Sequence, residues 1–331
     1  MSRLYFGKSW MGRNPPSRCL RASSATCKGV AGIADTASDD VGRRTHAPAK
    51  LNLFLHVGLR GSDGYHALES LVVFSGFGDR LHLEPSRGFQ LVRTGPYASA
   101  LPDRSDEDLT ARAIAGLAEV CGRAPDFAIT LEKNIPVAAG LGGGSADAAA
   151  AIRLVCREWG VDVDDPRVRA LAEGLGADVP MCLHSQPAWI AGVGEQVTPI
   201  TNFADLDLLL VNPQLPLSTA RVFGAYAPAD LVPQNDPASV DLATPASVLA
   251  FLEHQHNDLA APAQDLYPVI SDMLDELAQS SGSRLARMSG SGPTCFAVFD
   301  NEASCKRAAA ELIARHPDWW VRSMRTRHSN R

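Results

Sequence analysis

A clean alternation runs from Lys50 to Leu59, KLNLFLHVGL, with Leu51, Leu53, Leu55, Val57 and Leu59 at every second place. A period of two belongs to a β-strand, whose successive side chains point to opposite faces, so Lys50, Asn52, Phe54 and His56 are expected to share the other face. RGSDG from Arg60 to Gly64 carries turn chemistry and Leu68 to Phe74 reads as the returning strand, which puts Tyr65 and His66 where the hairpin comes back. Between about Asp106 and Gly122 the apolar period becomes helical, through Leu109, Ala113, Ile114, Leu117 and Val120, and Phe127 to Leu131 is a short strand. A second helix is expected from about Ser145 to Trp159, with Ser145 as N-cap, Asp147 as the acid of the first turn and Gly160 as the stop. Asp165 with Pro166 opens a third, ending near Gly176.

Beyond Ile200 the pattern changes. Leu206 to Val211 is an apolar strand, and Ala225 to Pro245, rich in Pro, Ala and Asp, predicts a long surface loop. Helices are expected around Val248 to Glu253, Val269 to Ser280 and Ala303 to Arg315, bracketing RMSGSGPTCFAVF from Arg287, whose last residues, Cys295 to Phe299, form a strand. No internal repeat recurs. The mixed order of strands and helices predicts an α+β fold with domains over residues 46–199 and 200–331, in keeping with a length of 331 residues.

Charge sets the first 45 residues apart. Up to Ala34 they hold Arg3, Lys8, Arg13, Arg18, Arg21 and Lys28 and no acid, against a net charge of -6 for the whole chain. Without a periodic apolar pattern, residues 1–45 are expected to be a disordered basic extension, either an upstream start or an organelle leader. The acidic body offers no electrostatic footprint for nucleic acid. No run approaches the roughly 20 apolar residues of a membrane span, so no membrane partner is expected. The seven cysteines are scattered and never spaced as C-x-x-C, which argues against both a disulfide framework and a zinc site and favours a reducing cytoplasm. HQH at His254 to His256 lacks a third ligand nearby and is read as a helix end.

The candidate chemistry lies in PVAAGLGGGSADAAAAIRLV from Pro136, with four glycines ahead of a helix. Glycines there let the backbone approach an anion, and the free N–H groups of the first turn point at it; the same glycines also serve a close-packed capping turn. Neither G-x-x-x-x-G-K-[ST] nor G-x-G-x-x-G fits the spacing, so this is neither a P-loop nor a dinucleotide fingerprint. A phosphate-transfer site built on it must take its cation and base from elsewhere, and Lys50 and Asp178, in GADVP, are candidates.

Together, APAKLNL from Ala47, PVAAGLGGGSADAA from Pro136 and SGSGPT from Ser289 resemble the three motifs of the galactokinase, homoserine kinase, mevalonate kinase and phosphomevalonate kinase (GHMP) superfamily. DGYHALESL from Asp63, GADVP from Gly176, GVGE from Gly192 and NDL from Asn257 are similar to hallmarks of its isoprenoid-precursor branch, which phosphorylates a cytidine diphosphate-linked polyol. The resemblance covers residues from about 46 to about 320. It implies an N-terminal ATP-binding domain, a ferredoxin-like C-terminal domain and an active site in the cleft between them. It implies that Pro136, Val137, Ala138, Ala139, Gly140, Leu141, Gly142, Gly143, Gly144 and Ser145 bind ATP, with Asp108 and Leu109 near the adenine and Ser145 as a candidate magnesium ligand. Asp178 would be the general base and Lys50 would hold its carboxylate ionised and stabilise the transferred phosphoryl group. Asn52, Tyr65, His66, Thr219 and Phe223 would hold the substrate. The chain departs from the family pattern at Asp108, where Asn is common, at Val72, where an aromatic occurs, and at Ala146, where a second serine is usual. The alternatives are another small-molecule kinase of the superfamily, of homoserine or mevalonate type, or a non-catalytic binding protein on the same fold.

Overall fold

The computed structural model describes residues 41–61, 64–101, 104, 107–227 and 235–326. The expected basic extension lies outside the described residues through residue 40, as do Asp63 of the hairpin turn, the expected helix start at Asp106 and part of the Pro-rich loop. The first strand is under way at Arg44, two residues before the expected domain boundary at residue 46.

The first sheet takes β1 (Arg44–Arg60), β2 (His66–Pro85), β3 (Gln90–Thr94), β4 (Phe127–Glu132), β5 (Ala188–Ala191) and β6 (Gln196–Pro199). Its order is β3-β4-β2-β5-β6, with β1 paired antiparallel along the length of β2. The helices α1 (Leu109–Cys121), α2 (Gly143–Trp159), α3 (Pro166–Leu175) and α4 (Val179–His184) share one core with β2 and β4. Four consecutive buried alanines, Ala148 to Ala151, let α2 lie close against the sheet.

The strand at Lys50 is longer than its alternation and is not regular. Bulges fall between Pro48 and Lys50 and between Asn52 and Phe54. The second bulge changes which residues share a face: Asn52 pairs with Val72 and Leu55 with Ser70, whereas Phe54 pairs with Leu71 and His56 with Glu69. Lys50 and Asn52 therefore share their face with Leu55, not with Phe54 and His56 as strict alternation predicts. The other face, with Leu51, Phe54, Leu71 and Val73, packs into a core shared with Leu208, Leu210, Phe296 and Val298 of the second sheet.

That second sheet contains β7 (Asp207–Asn212), β8 (Ser283–Met288), β9 (Cys295–Phe299) and β10 (Trp320–Arg325) in the order β10-β7-β9-β8, all antiparallel. α5 (Thr219–Ala225), α6 (Pro245–Leu252), α7 (Ala260–Leu266) and α8 (Val269–Gln279) lie between β7 and β8, and α9 (Glu302–Arg315) between β9 and β10. Reduced to β7-α8-β8-β9-α9-β10, this is the β-α-β-β-α-β arrangement of a ferredoxin-like unit. The fold is α+β. No described helix is long and apolar enough to cross a membrane.

Candidate active site

The two glycine loops meet. Gly140 has φ +73°, and a Cβ there would lie 2.5 Å from the carbonyl oxygen of Gly292, so only glycine admits SGSGPT at this distance. Thr294 Oγ1 donates to Ala139 O at 2.6 Å and accepts from Asn212 Nδ2 at 2.8 Å, which ties the loop before α2 to β7 and β9. Gly142 has φ +64°, and a Cβ there would sit 3.3 Å from Lys50 Cβ. The Lys50 N–H donates to Leu141 O at 2.9 Å. Strand β1 and both loops thus form one surface, which bounds a cavity of about 580 Å³.

α2 begins at Gly143 with Gly142 at its cap position, two residues before the expected start, so Ser145 belongs to the first turn and does not cap the helix. Asp147 does not serve the helix end in solvent either. It is buried, and Lys133 Nζ donates to it at 2.6 Å and to Asp79 at 2.5 Å. The second oxygen of Asp79 accepts the N–H groups of Asn134 at 2.5 Å and Ile135 at 2.8 Å, directly before the loop. The phosphate-loop candidate is therefore pinned on both sides, through β4 by Asp79 and through α2 by Asp147. Burial alone would push the Lys133 ammonium down, but Asp147 and then Asp79 outweigh it and hold it above its ordinary value. Burial pushes the Asp147 carboxyl well above the usual carboxylate range, with Lys133 pulling the other way. The sequence separations of these partners are 54 and 14 residues, so no local spacing announces the group.

Lys50 and Asp178 come together in the cavity. Nζ lies 3.0 Å from both carboxylate oxygens, with side-chain exposures of 8% and 37%. Asp178 occupies the cap position of α4 but makes no capping hydrogen bond, which leaves its carboxylate turned to the lysine. Burial pushes the nearby Cys182 thiol up to about 12, so it supplies no competing thiolate.

Pro136, Val137, Ala138, Ala139, Gly140, Leu141, Gly142, Gly143, Gly144 and Ser145 all line the same cavity, as do Leu109, Asn52, Thr219 and Phe223. Asn52 is held by its backbone N–H, which donates to Ser289 Oγ at 3.1 Å, and by Nδ2, which donates to Ser70 Oγ at 2.7 Å. Its Oδ1 is buried without a hydrogen-bond partner among the described residues. Thr219 Oγ1 lies 2.9 Å from Ser291 Oγ, which brings α5 to the second glycine loop.

His66 and Tyr65 stand beyond the cavity lining. The His66 ring centroid is 5.4 Å from that of Phe223, and Nδ1 is 2.9 Å from Gly58 O. Tyr65 is 65% exposed at the hairpin. Asp108 is set apart from the cavity: Oδ1 accepts the N–H groups of Thr110 and Ala111, capping α1, and Oδ2 accepts from Arg93 at 2.7 Å. Val72 is fully buried in the core opposite Asn52. Ala146 is buried in the same core.

Two family descriptions match the chain, GHMP kinases N terminal domain over residues 108–186 and GHMP kinases C terminal over residues 247–318. The chain is 42% identical over 288 residues to a 4-diphosphocytidyl-2-C-methyl-D-erythritol kinase of Chelativorans sp. (strain BNC1), covering 86% of this chain and 96% of that one. It is 46% identical over 281 residues to the protein of the same name from Bradyrhizobium sp. (strain ORS 278), covering 82% and 93%.

The chain belongs to the GHMP kinase family.

Among solved structures, this GHMP kinase is similar to a crystal structure of 4-(cytidine 5'-diphospho)-2C-methyl-D-erythritol kinase, with TM-score 0.72, 33% identity, and coverage of 86% of this chain and 98% of that one. The homoserine kinase of Cytophaga hutchinsonii superposes with TM-score 0.64 at 17% identity, covering 90% and 98%, a likeness of fold.

Proposed function

We propose that the protein is an ATP-dependent kinase that phosphorylates the 2-hydroxyl of 4-diphosphocytidyl-2-C-methyl-D-erythritol, giving the 2-phosphate and ADP, in the non-mevalonate route to isoprenoid precursors. The observation that carries the reaction class is Lys50 Nζ at 3.0 Å from both oxygens of Asp178, in the cavity bounded by the glycine loop. The identities of 42% and 46% to kinases named for this substrate support the acceptor.

Phosphoryl transfer requires chiefly alignment and charge stabilisation. In this reading the backbone N–H groups from Gly140 to Ser145 hold the ATP phosphates, and Leu109 lies toward the adenine. Asp178 accepts the proton of the substrate hydroxyl as its oxygen bonds to the γ-phosphorus and the bond to ADP breaks. Lys50 stabilises the carboxylate and the transferred group. Asn52, whose Oδ1 is buried and unpartnered among the described residues, offers an acceptor to a substrate hydroxyl, Thr219 contributes from α5 on the same cavity wall, and His66, Phe223 and Tyr65 hold the cytidine head group, where an aromatic face suits a pyrimidine. Asp108, engaged as a helix cap, reaches the nucleotide only through the position of α1.

Magnesium enters this scheme with the nucleotide. Among the described residues no group of three His, Cys, Asp or Glu side chains is placed to hold a metal ion, and magnesium commonly takes most of its ligands from phosphates and water. Ser145, on the cavity wall, is the residue that would complete its shell. When bound, the ion neutralises charge on the β- and γ-phosphates.

A coupled ADP-release assay with ATP and magnesium tests the reading, comparing 4-diphosphocytidyl-2-C-methyl-D-erythritol with homoserine, mevalonate and galactose. Turnover with the cytidine compound alone is expected. Turnover with another acceptor in its place would overturn the substrate, and silence with all four while calorimetry detects ATP binding would overturn the reaction.

A further inference from the structure

The helix that presents Asp178 is short. α4 has six residues, so it is about 9 Å long, and any tilt of its far end is carried directly to the carboxylate at its start. Two of its C-terminal carbonyls, Cys182 O and Leu183 O, are met by Arg153 of α2, and Cys182 O also accepts the Ser185 hydroxyl at 2.8 Å. Nη1 donates to Cys182 O at 2.5 Å and to Leu183 O at 3.3 Å. Nη2 of the same guanidinium donates to His46 O at 2.7 Å, on β1, four residues before Lys50. α2 itself starts at Gly143, the end of the glycine loop. One planar group therefore joins the three elements that carry Asp178, Lys50 and the phosphate loop.

The chemistry suits this task. A cation near a helix C-terminus satisfies open carbonyls and complements the dipole, and the fork of a guanidinium donates in two directions at once, as an ammonium cannot. Arg157, one turn further along α2, donates Nη2 to Arg44 O at 3.0 Å. It provides an internal control, because it staples α2 to β1 from the same helix face by a bond that does not involve α4.

We propose that Arg153 is a positioning residue for phosphoryl transfer, holding α4 and its Asp178 in register with Lys50 and the glycine loop. The proposal rests on the roles given to Lys50 and Asp178 above. Misplacing a reacting group slightly costs rate more than affinity, because the substrates are still held by their own contacts.

The test compares Arg153→Ala with Arg157→Ala in the full chain. For Arg153→Ala, kcat is expected to fall by about tenfold or more, with KM for both substrates and the ATP Kd within about twofold. Methylguanidinium in the assay should restore part of the loss. Amide hydrogen exchange across residues 178–185 should speed up by about tenfold, while Arg157→Ala leaves both kcat and that exchange near the parent values. If Arg153→Ala does not fold, Arg153→Lys serves, since an ammonium cannot span the three carbonyls; undiminished kcat in it would overturn the proposal. Unchanged kcat and exchange in Arg153→Ala would also do so, as would equal losses of kcat and ATP affinity in both arginine variants. Should the parent protein fail to turn over the cytidine compound, the functional reading falls by itself, and the exchange rate of α4 then decides the role of Arg153.

Discussion

Two lysine–aspartate groups flank the glycine loop, built from the same residue types and put to opposite uses. Lys50 and Asp178 form a single pair, with the carboxylate 37% exposed and facing the cavity. Lys133, Asp79 and Asp147 form a sealed group, with side chains at most 2% exposed and one lysine shared by two acids. Asp79 is further saturated by two backbone N–H groups, whereas Asp178 has no capping bond to hold it to its own helix. A carboxylate with exposure and spare acceptor capacity can exchange a proton with a ligand; one whose oxygens are spent on the scaffold cannot. Residue identity alone therefore does not separate chemistry from architecture, and burial does: Asp147, whose Oδ1 has no hydrogen-bond partner among the described residues, is closed to a ligand by its surroundings rather than by saturation.

The largest expected effect comes from breaking the sealed group. Lys133→Met leaves two carboxylates buried without their cation, and removal of one partner of a buried ion pair costs about 3–5 kcal/mol. Urea unfolding of the parent and variant measures it, and a loss below about 1 kcal/mol would make the two groups equivalent in stability and end the distinction. Asp178→Ala should act in the reverse sense. Turnover is expected to fall by at least about 10²-fold, the usual scale for a general base, with ATP binding kept. The unfolding midpoint should move less than in Lys133→Met, because the lost carboxylate is 37% exposed, although Lys50 at 8% is left without its partner. Near-normal turnover would remove Asp178 from the mechanism.

Gly143 lies between the two groups and sharpens the comparison at a smaller scale. A Cβ there would meet Lys133 Nζ at 3.1 Å and Ile135 Cγ2 at 3.4 Å. Gly143→Val presses a branched side chain against the sealed group at the foot of the loop. An overpacking cost of about 1–3 kcal/mol, expressed at the nucleotide, corresponds to a rise of roughly 5- to 150-fold in the ATP Kd. Calorimetric titration with ATP reads this directly. Unchanged affinity would count against the loop as the phosphate cradle.

The open pair and the loops were legible in the sequence, because each sits in a short run with its own composition: alternating KLNL, the glycine cluster, GADVP and SGSGPT. The sealed group was not. Asp147 reads locally as an acid in the first turn of a helix, and only tertiary packing brings it to Lys133 and Asp79. Alternation along β1 correctly gave the strand and the common face of Lys50 and Asn52, but a bulge after Asn52 turned Phe54 and His56 away from them. The short strands β3, β5 and β6 carry too few residues for a period to stand out, and α4 is hidden in a six-residue stretch after Asp178. Asp108 illustrates the same limit: its place in the motif suggests the nucleotide, while its oxygens cap α1 and bind Arg93.

A third buried cluster lies between the two extremes and gives the smallest expected effect. His56 is 2% exposed, with Nδ1 3.5 Å from Glu69 Oε2, a long contact, and its ring 4.8 Å from Phe54 and 4.7 Å from His256. Glu69 spends its oxygens on Asn235 and on Trp189 Nε1 rather than on the imidazole. Burial, and then His256, lower the His56 value below its ordinary 6.5, while Asp258 and Glu69 oppose them less strongly. A base that takes its proton more readily unfolded than folded contributes stability that is present above about pH 6.5 and is lost as the pH falls through the lowered folded-state value. The thermal midpoint should thus hold between pH 8 and 7 and decline below about pH 6.5. In His56→Phe, which keeps the ring against Phe54, that decline should be shallower by at least about 2 °C at pH 5.5, the scale that ~1 kcal/mol sets in a chain of this size. Parallel declines in the two proteins would show that His56 is as inert to pH as a hydrocarbon, and that saturation of its neighbours, not burial of its own ring, governs this cluster.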